Sequence, residues 1–130
     1  MDVISRARFV RTTPDKLRIL VSMLKSKTVN KAIDQLRFSP KDASKYIILV
    51  LKQIKAQAKD LNLNEEALTV KNILIDEGPK LKRRRICHQG RSTMILKRMS
   101  HITVIANDDT VKKTTVNASK EKEIAKAEKR

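Results

Sequence analysis

Residues 78–99 read Gly-Pro-Lys-Leu-Lys-Arg-Arg-Arg-Ile-Cys-His-Gln-Gly-Arg-Ser-Thr-Met-Ile-Leu-Lys-Arg-Met, with eight Lys or Arg and no Asp or Glu. Two apolar, β-branched runs flank this stretch, Val70–Ile75 and Ile102–Ile105. Runs of that kind pair as strands. The connection between them is far longer than the roughly two to five residues of an ordinary hairpin loop. It also has too few large apolar residues to bury a core of its own. The shape that satisfies both facts is a long hairpin arm leaving the body of the protein, coated in positive charge. Such an arm repels itself in water, and phosphates relieve that repulsion.

The whole chain is biased the same way. It carries 30 Lys+Arg against 14 Asp+Glu, a formal net charge of +16. Its calculated pI of 10.3 lies in the range where a nucleic-acid partner is the first expectation. Residues 1–106 hold 23 basic and 9 acidic side chains, and residues 107–130 hold 7 and 5. The field therefore belongs to the body and the arm, and the tail is nearly balanced. No apolar run of about 18 residues, signal-peptide pattern or lipidation motif is present, which argues against an integral or anchored membrane role. A single cysteine, Cys87, allows no intrachain disulfide and suits a reducing compartment. Only Phe9, Phe38 and Tyr46 are aromatic, so no aromatic-rich strand is available for stacking a run of single-stranded bases. Recognition of folded RNA by phosphate contact and shape is the expectation.

The remaining elements follow from spacing. Residues 4–11 alternate well enough for a short strand, with Ile4, Ala7 and Phe9 or Val10 toward a core and Arg6, Arg8 and Arg11 outward. Thr13 as cap and Pro14 at the first position start a helix over 14–26, carrying Leu17, Leu20, Val21 and Leu24 on one face. Lys16 and Arg18 sit near its start, where cations oppose the helix dipole. Val29, Ala32, Ile33 and Leu36 mark a second helix over 29–37. Ser39-Pro40-Lys41-Asp42 reads as a capped start for a long helix over about 40–60. That helix presents Ala43, Ile47, Val50, Leu51, Ile54, Ala58 and Leu61. Its lysines, Lys41 among them, are read first as a solvated face, with phosphate contact as the second reading. Leu68, Val70, Ile73 and Ile75 form a strand if a bulge falls at Lys71–Asn72. The arm runs out to about Arg85, turns near Ile86–Gly90 and returns from Arg91 to Arg98, with Gly90 expected at positive φ. At ~3.3 Å per residue, ten-residue arms would reach roughly 30 Å. Met94 and Met99 are read as packing groups on the arm. Ser100–Ala106 is the last strand, and 107–130 is expected to be a disordered tail.

Chemistry of other kinds finds little support. Structural zinc takes about four ligands, and the chain offers one cysteine and two histidines in all. Cys87-His88 lacks the third group that would orient a nucleophile pair. No cofactor, metal site or catalytic residue is expected.

Three stretches carry a family resemblance: Arg11-Thr12-Thr13-Pro14-Asp15-Lys16-Leu17-Arg18, Leu36-Arg37-Phe38-Ser39-Pro40-Lys41-Asp42-Ala43, and Asp76-Glu77-Gly78-Pro79-Lys80-Leu81-Lys82-Arg83 with Gly90-Arg91 and Leu96-Lys97-Arg98-Met99-Ser100-His101-Ile102-Thr103-Val104 after it. With these in place, the chain resembles the bacterial form of the large-subunit ribosomal protein twenty-two family over about residues 4–106. The resemblance implies an α+β fold, with three helices packed on a small three-stranded antiparallel sheet, a long protruding β-hairpin and a C-terminal tail. It implies a non-enzymatic, cytoplasmic constituent of the large ribosomal subunit that binds large-subunit rRNA and aids assembly. Its partners would be that rRNA, neighbouring large-subunit proteins and the nascent polypeptide, with no membrane and no homo-oligomer. Carried onto this chain, the rRNA-binding positions are Arg6, Arg8, Arg11, Lys16, Arg18, Lys80, Lys82, Arg83, Arg84, Arg85, Arg91, Lys97, Arg98, Ser100 and His101. The exit-tunnel tip maps to Ile86, Cys87, His88, Gln89 and Gly90, and it departs from the family pattern at Ile86, Cys87 and Gln89. The alternatives are a DNA-associated or regulatory module of the same fold, or a binder of anionic membranes. No helix clusters base-reading side chains as a recognition helix would.

Overall fold

The computed structural model describes residues 2–108. Five strands and three helices follow in the order β1 (Asp2–Val10), α1 (Pro14–Val21), α2 (Val29–Arg37), α3 (Ala43–Asp60), β2 (Leu68–Glu77), β3 (Leu81–Ile86), β4 (Ser92–Lys97) and β5 (Ser100–Asp108). One antiparallel sheet has the order β1-β5-β2, and β3 and β4 form a separate two-stranded ladder. This is the expected α+β fold with its protruding hairpin. The tail expected to be disordered lies, from residue 109 on, outside the described residues.

The helices cover one face of the sheet. Leu17, Leu20 and Leu24, Val29 and Leu36, and Ile47, Leu51 and Ile54 are buried there with Val70, Ile102 and Val104. The helical spacing read from the sequence put all of these helical residues inward, with one error: Leu61 caps the end of α3 and is exposed. The predicted bulge in β2 is present, as a register shift between Val70 and Asn72.

Strand β1 differs from expectation. Val3, Ser5 and Val10 are buried, whereas Ile4 and Phe9 are exposed. A shift of register falls between Ala7 and Val10, and Phe9 sits at φ +59. The irregularity resets the parity, so 3, 5 and 7 share the inner face with 10. Ser5 misled the reading because it is polar. Its hydroxyl donates to Gln53 Oε1 of α3 at 3.1 Å, which makes its burial tolerable.

Helix α1 starts at Pro14 as expected, but its end and the start of α3 both move. Helix α1 ends at Val21, not at 26. Residues 22–27 continue as tight turns, with bonds from Leu24 N to Val21 O and Lys27 N to Leu24 O, and Ser26 at φ +62. The chain then pairs with β2 through Ser26 N to Val70 O (3.1 Å) and Val70 N to Lys27 O (2.8 Å). Those bonds occupy the backbone at the β2 bulge, and a straight helix could not supply them. Helix α3 starts at Ala43, not at Pro40, and neither Thr13 nor Asp42 makes a side-chain cap. The Asp42 carboxylate accepts from Lys45 Nζ at 2.8 Å instead of from the backbone, and the Ser44 hydroxyl donates to Lys41 O at 2.7 Å.

The base of the arm is a close fit. Gly78 N donates to Met99 O at 2.8 Å. A Cβ on Gly78 would stand 3.1 Å from Met99 C and 3.2 Å from its carbonyl oxygen. We expect Gly78→Ala to destabilise the fold by about 1–3 kcal/mol, as overpacking does. The readout is a lower urea midpoint at unchanged slope. An unchanged midpoint would show that the two arm roots separate freely.

Candidate nucleic-acid interface

The arm consists of six rungs: Leu81↔Lys97, Lys82↔Leu96, Arg83↔Ile95, Arg84↔Met94, Arg85↔Thr93 and Ile86↔Ser92. The first five rungs each join one cation to one uncharged residue. Like charges directly opposite one another destabilise a ladder, and this register has none. Because side chains alternate across a strand, Arg83, Arg85 and Lys97 share one face, and Lys82 and Arg84 share the other. Both faces of the ribbon are therefore basic. Met94, Ile95 and Leu96 remain exposed between the cations, so the expected packing role of Met94 is not seen. Met99, at the base, is half-buried. Six-residue strands span roughly 20 Å, and the roots at 78–80 and 98–99 add the rest of the reach.

The tip is a turn over His88–Arg91. Gln89 and Gly90 have φ of +55 and +73, and Arg91 N donates to His88 O at 3.3 Å. Two successive positive φ values suit a type I′ turn. Gly90 takes its value without strain, as expected; Gln89 carries the less favourable left-handed conformation. Cys87 N closes the loop onto Arg91 O at 2.8 Å. The Cys87 Sγ lies 3.4 Å from Thr93 Oγ1. Ile86, Cys87, His88, Gln89 and Gly90 are all exposed. Among the described residues no group of three or more His, Cys, Asp or Glu could hold a metal ion. Among them also, no helix is long and apolar enough to cross a membrane.

At the arm's root, Lys80 Nζ lies 3.2 Å from Glu77. The hydrogen bond from Lys80, and then its charge, hold the Glu77 carboxyl below its ordinary 4.5, with smaller pulls from Arg98 and Arg18. The pair is exposed and worth little. What it contributes is present above about pH 4.5 and is lost as the pH falls and Glu77 takes up a proton.

On the body, the structure separates the candidate cations. Arg6 and Arg8 project from the open face of the sheet, beside Leu74, His101 and Thr103. The Arg8 guanidinium lies 5.8 Å over the Phe9 ring, which meets His101 edge-on at 5.0 Å. His101 Nδ1 accepts the Phe9 N–H at 3.1 Å, so this histidine holds the β1 irregularity and leaves only part of its ring for a partner. Arg18 pairs with Asp15 at 3.3 Å and donates to Ile75 O at 3.4 Å, tying α1 to β2. Ser100 corrects the sequence reading. It is fully buried, and its hydroxyl donates to Thr12 O at 2.5 Å. It locks the base of the arm to the β1–α1 link and has no surface left for RNA.

Arg11, Lys16 and Arg98 meet in one place. Together with Thr12, Thr13, Ile19, Lys41, Asp42, Ala43 and Tyr46 they line a cleft of about 540 Å³ where the starts of α1 and α3 face the root of the arm. Spacing could not show Lys41 and Tyr46 as partners of Arg98, because the three lie on elements far apart in the chain.

The family model of ribosomal protein L22p/L17e matches residues 5–107. The chain belongs to this family. It is 40% identical over 110 residues to a large ribosomal subunit protein uL22 of Desulfosudis oleivorans, covering 85% of this chain and 96% of that one. It is 39% identical over 109 residues to the protein of the same name from Syntrophus aciditrophicus, covering 83% and 99%. With the Fervidobacterium nodosum protein uL22 it shares 43% over 103 residues, covering 78% and 70%. These relatives are ribosomal proteins and not enzymes.

The alternating register of the arm predicts a specific sensitivity. Ile95→Lys would set a second cation directly opposite Arg83. We expect a loss of about 0.2–1 kcal/mol in the ribbon, seen as faster amide exchange in β3 and β4 than in an Ile95→Thr control. Exchange in β2 and β5 should be unchanged, since β3 and β4 pair only with each other.

Proposed function

We propose that the chain is a structural constituent of the large ribosomal subunit that binds large-subunit rRNA, aids subunit assembly and lines the nascent-peptide exit tunnel with its hairpin tip. The observation that carries this reading is the arm's charge on both faces. A ribbon that lay on a surface would need cations on one side only. Arg83, Arg85 and Lys97 against Lys82 and Arg84 suit a ribbon enclosed by phosphates. Guanidinium forks fix orientation as well as neutralising charge, so the arm can pin RNA segments that are distant in sequence. The arm is mobile when free and becomes ordered when bound, because an isolated two-stranded ribbon is marginal in water.

Residues 1–106 act as one domain, with the arm inserted at 78–99, and the remainder is a tail. Strand β5 carries regular structure two residues past that boundary, to Asp108. The rRNA partners on the body are Arg6, Arg8, Arg11, Lys16 and the exposed part of Arg18. On the arm they are Lys80, Lys82, Arg83, Arg84, Arg85, Arg91, Lys97 and Arg98, with His101 at its root. Ile86–Gly90 meets the nascent polypeptide. The protein works in the cytoplasm, inside the ribosome and beside neighbouring large-subunit proteins, as a single copy without cofactor.

Changing Arg83, Arg84 and Arg85 together to Ala is expected to slow assembly, with large-subunit precursors accumulating on sucrose gradients. In vitro, the same variant should bind large-subunit RNA with a shallower salt dependence. The slope should fall by about 0.7 for each phosphate no longer neutralised, taking the single-strand coefficient as a guide. Normal subunit levels together with an unaltered slope would refute the reading.

A further inference from the structure

We infer that the cleft between the starts of α1 and α3 and the root of the arm holds one unstacked nucleotide of the bound RNA, its phosphate against Lys16, Lys41 and Arg98 and its base against Tyr46. This rests on the rRNA-binding reading above and assigns a definite occupant to one part of it.

Three observations converge. The first is size: about 540 Å³ lies within the roughly 300–1,000 Å³ of clefts that take small ligands. The second is charge without internal compensation. Elsewhere on the body Arg37, Lys45, Lys55 and Lys71 each have a carboxylate oxygen within 4 Å, and cations without an ion pair among the described residues, such as Lys25, Lys31 and Lys52, are not gathered in one cleft with three others. Among the described residues Arg11, Lys16, Lys41 and Arg98 form no such ion pair, and all four line this one cleft. Its one carboxylate, Asp42, is held by Lys45 at 2.8 Å and so does little to neutralise them. Four cations brought together from separate segments repel one another, and an anion between them removes that cost.

The third observation separates a nucleotide from a bare phosphate or a run of backbone. The cleft also contains Tyr46 and Ile19. Tyr46 is half-buried and packed against the core, which fixes its ring, and Ile19 is 55% exposed. Phosphates alone would use the cations and leave these two groups facing water. A base turned out of its stack presents a flat apolar face and finds an aromatic ring to lie on. Of the other aromatics, Phe9 is engaged with His101 on the open face of the sheet and Phe38 is not among the cleft's lining.

The test uses the full chain and deproteinised large-subunit RNA from the same cells, with binding measured at several salt concentrations and base reactivity probed chemically. Tyr46→Leu should weaken binding about 5- to 150-fold, the range of one base–aromatic stack. One base that the wild type protects should become reactive. Tyr46→Phe should keep both affinity and protection, because stacking does not use the hydroxyl. Lys41→Gln, at an exposed position, should lower affinity, reduce the salt slope and expose the same base. Thermal unfolding of each variant shows whether the fold is kept. Should Tyr46→Leu fail to fold, the newly reactive base with Lys41→Gln decides alone. Two results overturn the inference while leaving rRNA binding intact: no base gains reactivity in any folded variant, or Lys41→Gln weakens binding while a folded Tyr46→Leu does not. If the wild type binds large-subunit RNA no better than an unrelated RNA duplex, the functional reading itself falls and the inference falls with it.

Discussion

The pairing of β2 with β5 decides where everything else in this molecule stands. β5 is the central strand, bonded to β1 on one side and β2 on the other. The last rungs of the β2–β5 ladder are Asp76↔His101 and Glu77↔Ser100, and the Gly78–Met99 bond continues them into the arm. The arm is thus an extension of the sheet's own hairpin and inherits its direction from the β2–β5 ladder. Ser100 reinforces the junction from below by bonding Thr12 O, which also brings the β1–α1 link, with Arg11, up to the root of the arm. One junction therefore sets both the aim of the arm and the assembly of the cleft beside it.

Charge is handled differently on the body and on the arm. On the helices, exposed ion pairs such as Asp15–Arg18, Asp34–Arg37 and Asp42–Lys45 neutralise cations locally. Such pairs are individually weak, yet they lower the repulsion the body must bear. Along the arm no acid is available between Glu77 and Asp108, and geometry takes over: the register never sets two cations opposite each other. Long stems of Arg and Lys can lie along Met94, Ile95 and Leu96 while their heads remain in solvent. Repulsion is spread evenly along the ribbon rather than concentrated.

What was legible in the sequence was whatever depends on local period. Helix faces at 3.6-residue spacing, the apolar runs of β2 and β5, the bulge at Lys71–Asn72 and the existence of the arm all followed from neighbouring residues. What failed was set by distant partners. α1 stops at Val21 because residues 26 and 27 bond to Val70, which lies on a strand some forty positions later. Ser5 is buried because Gln53 waits above it. Ser100, carried over as an RNA contact, is a buried strut because Thr12 lies beneath it. The cleft was illegible for the same reason: its cations were each visible, but nothing local says that Lys41 and Arg98 face a common space.

The choice of a ribbon for the arm follows from reach. The arm has 22 residues between Gly78 and Met99 and must leave the body and return, so about half of them are available in each direction. As a helical hairpin, eleven residues at ~1.5 Å each would extend only about 16 Å, and each helix would need an apolar face to pack on the other. As a β-ribbon the same eleven extend roughly 36 Å at ~3.3 Å each, and backbone bonds alone join the two strands. The cationic side chains of β3 and β4 are then not needed to hold the strands together. The ends of a ribbon also emerge side by side at the spacing of adjacent strands, which is the spacing that β2 and β5 already have, so the insertion asks nothing of the core. A helical arm would instead separate its ends by close to 8–10 Å and force the last rungs of the sheet apart. Reach, two-sided charge and an undisturbed junction are satisfied together only by continuing the hairpin that the sheet begins.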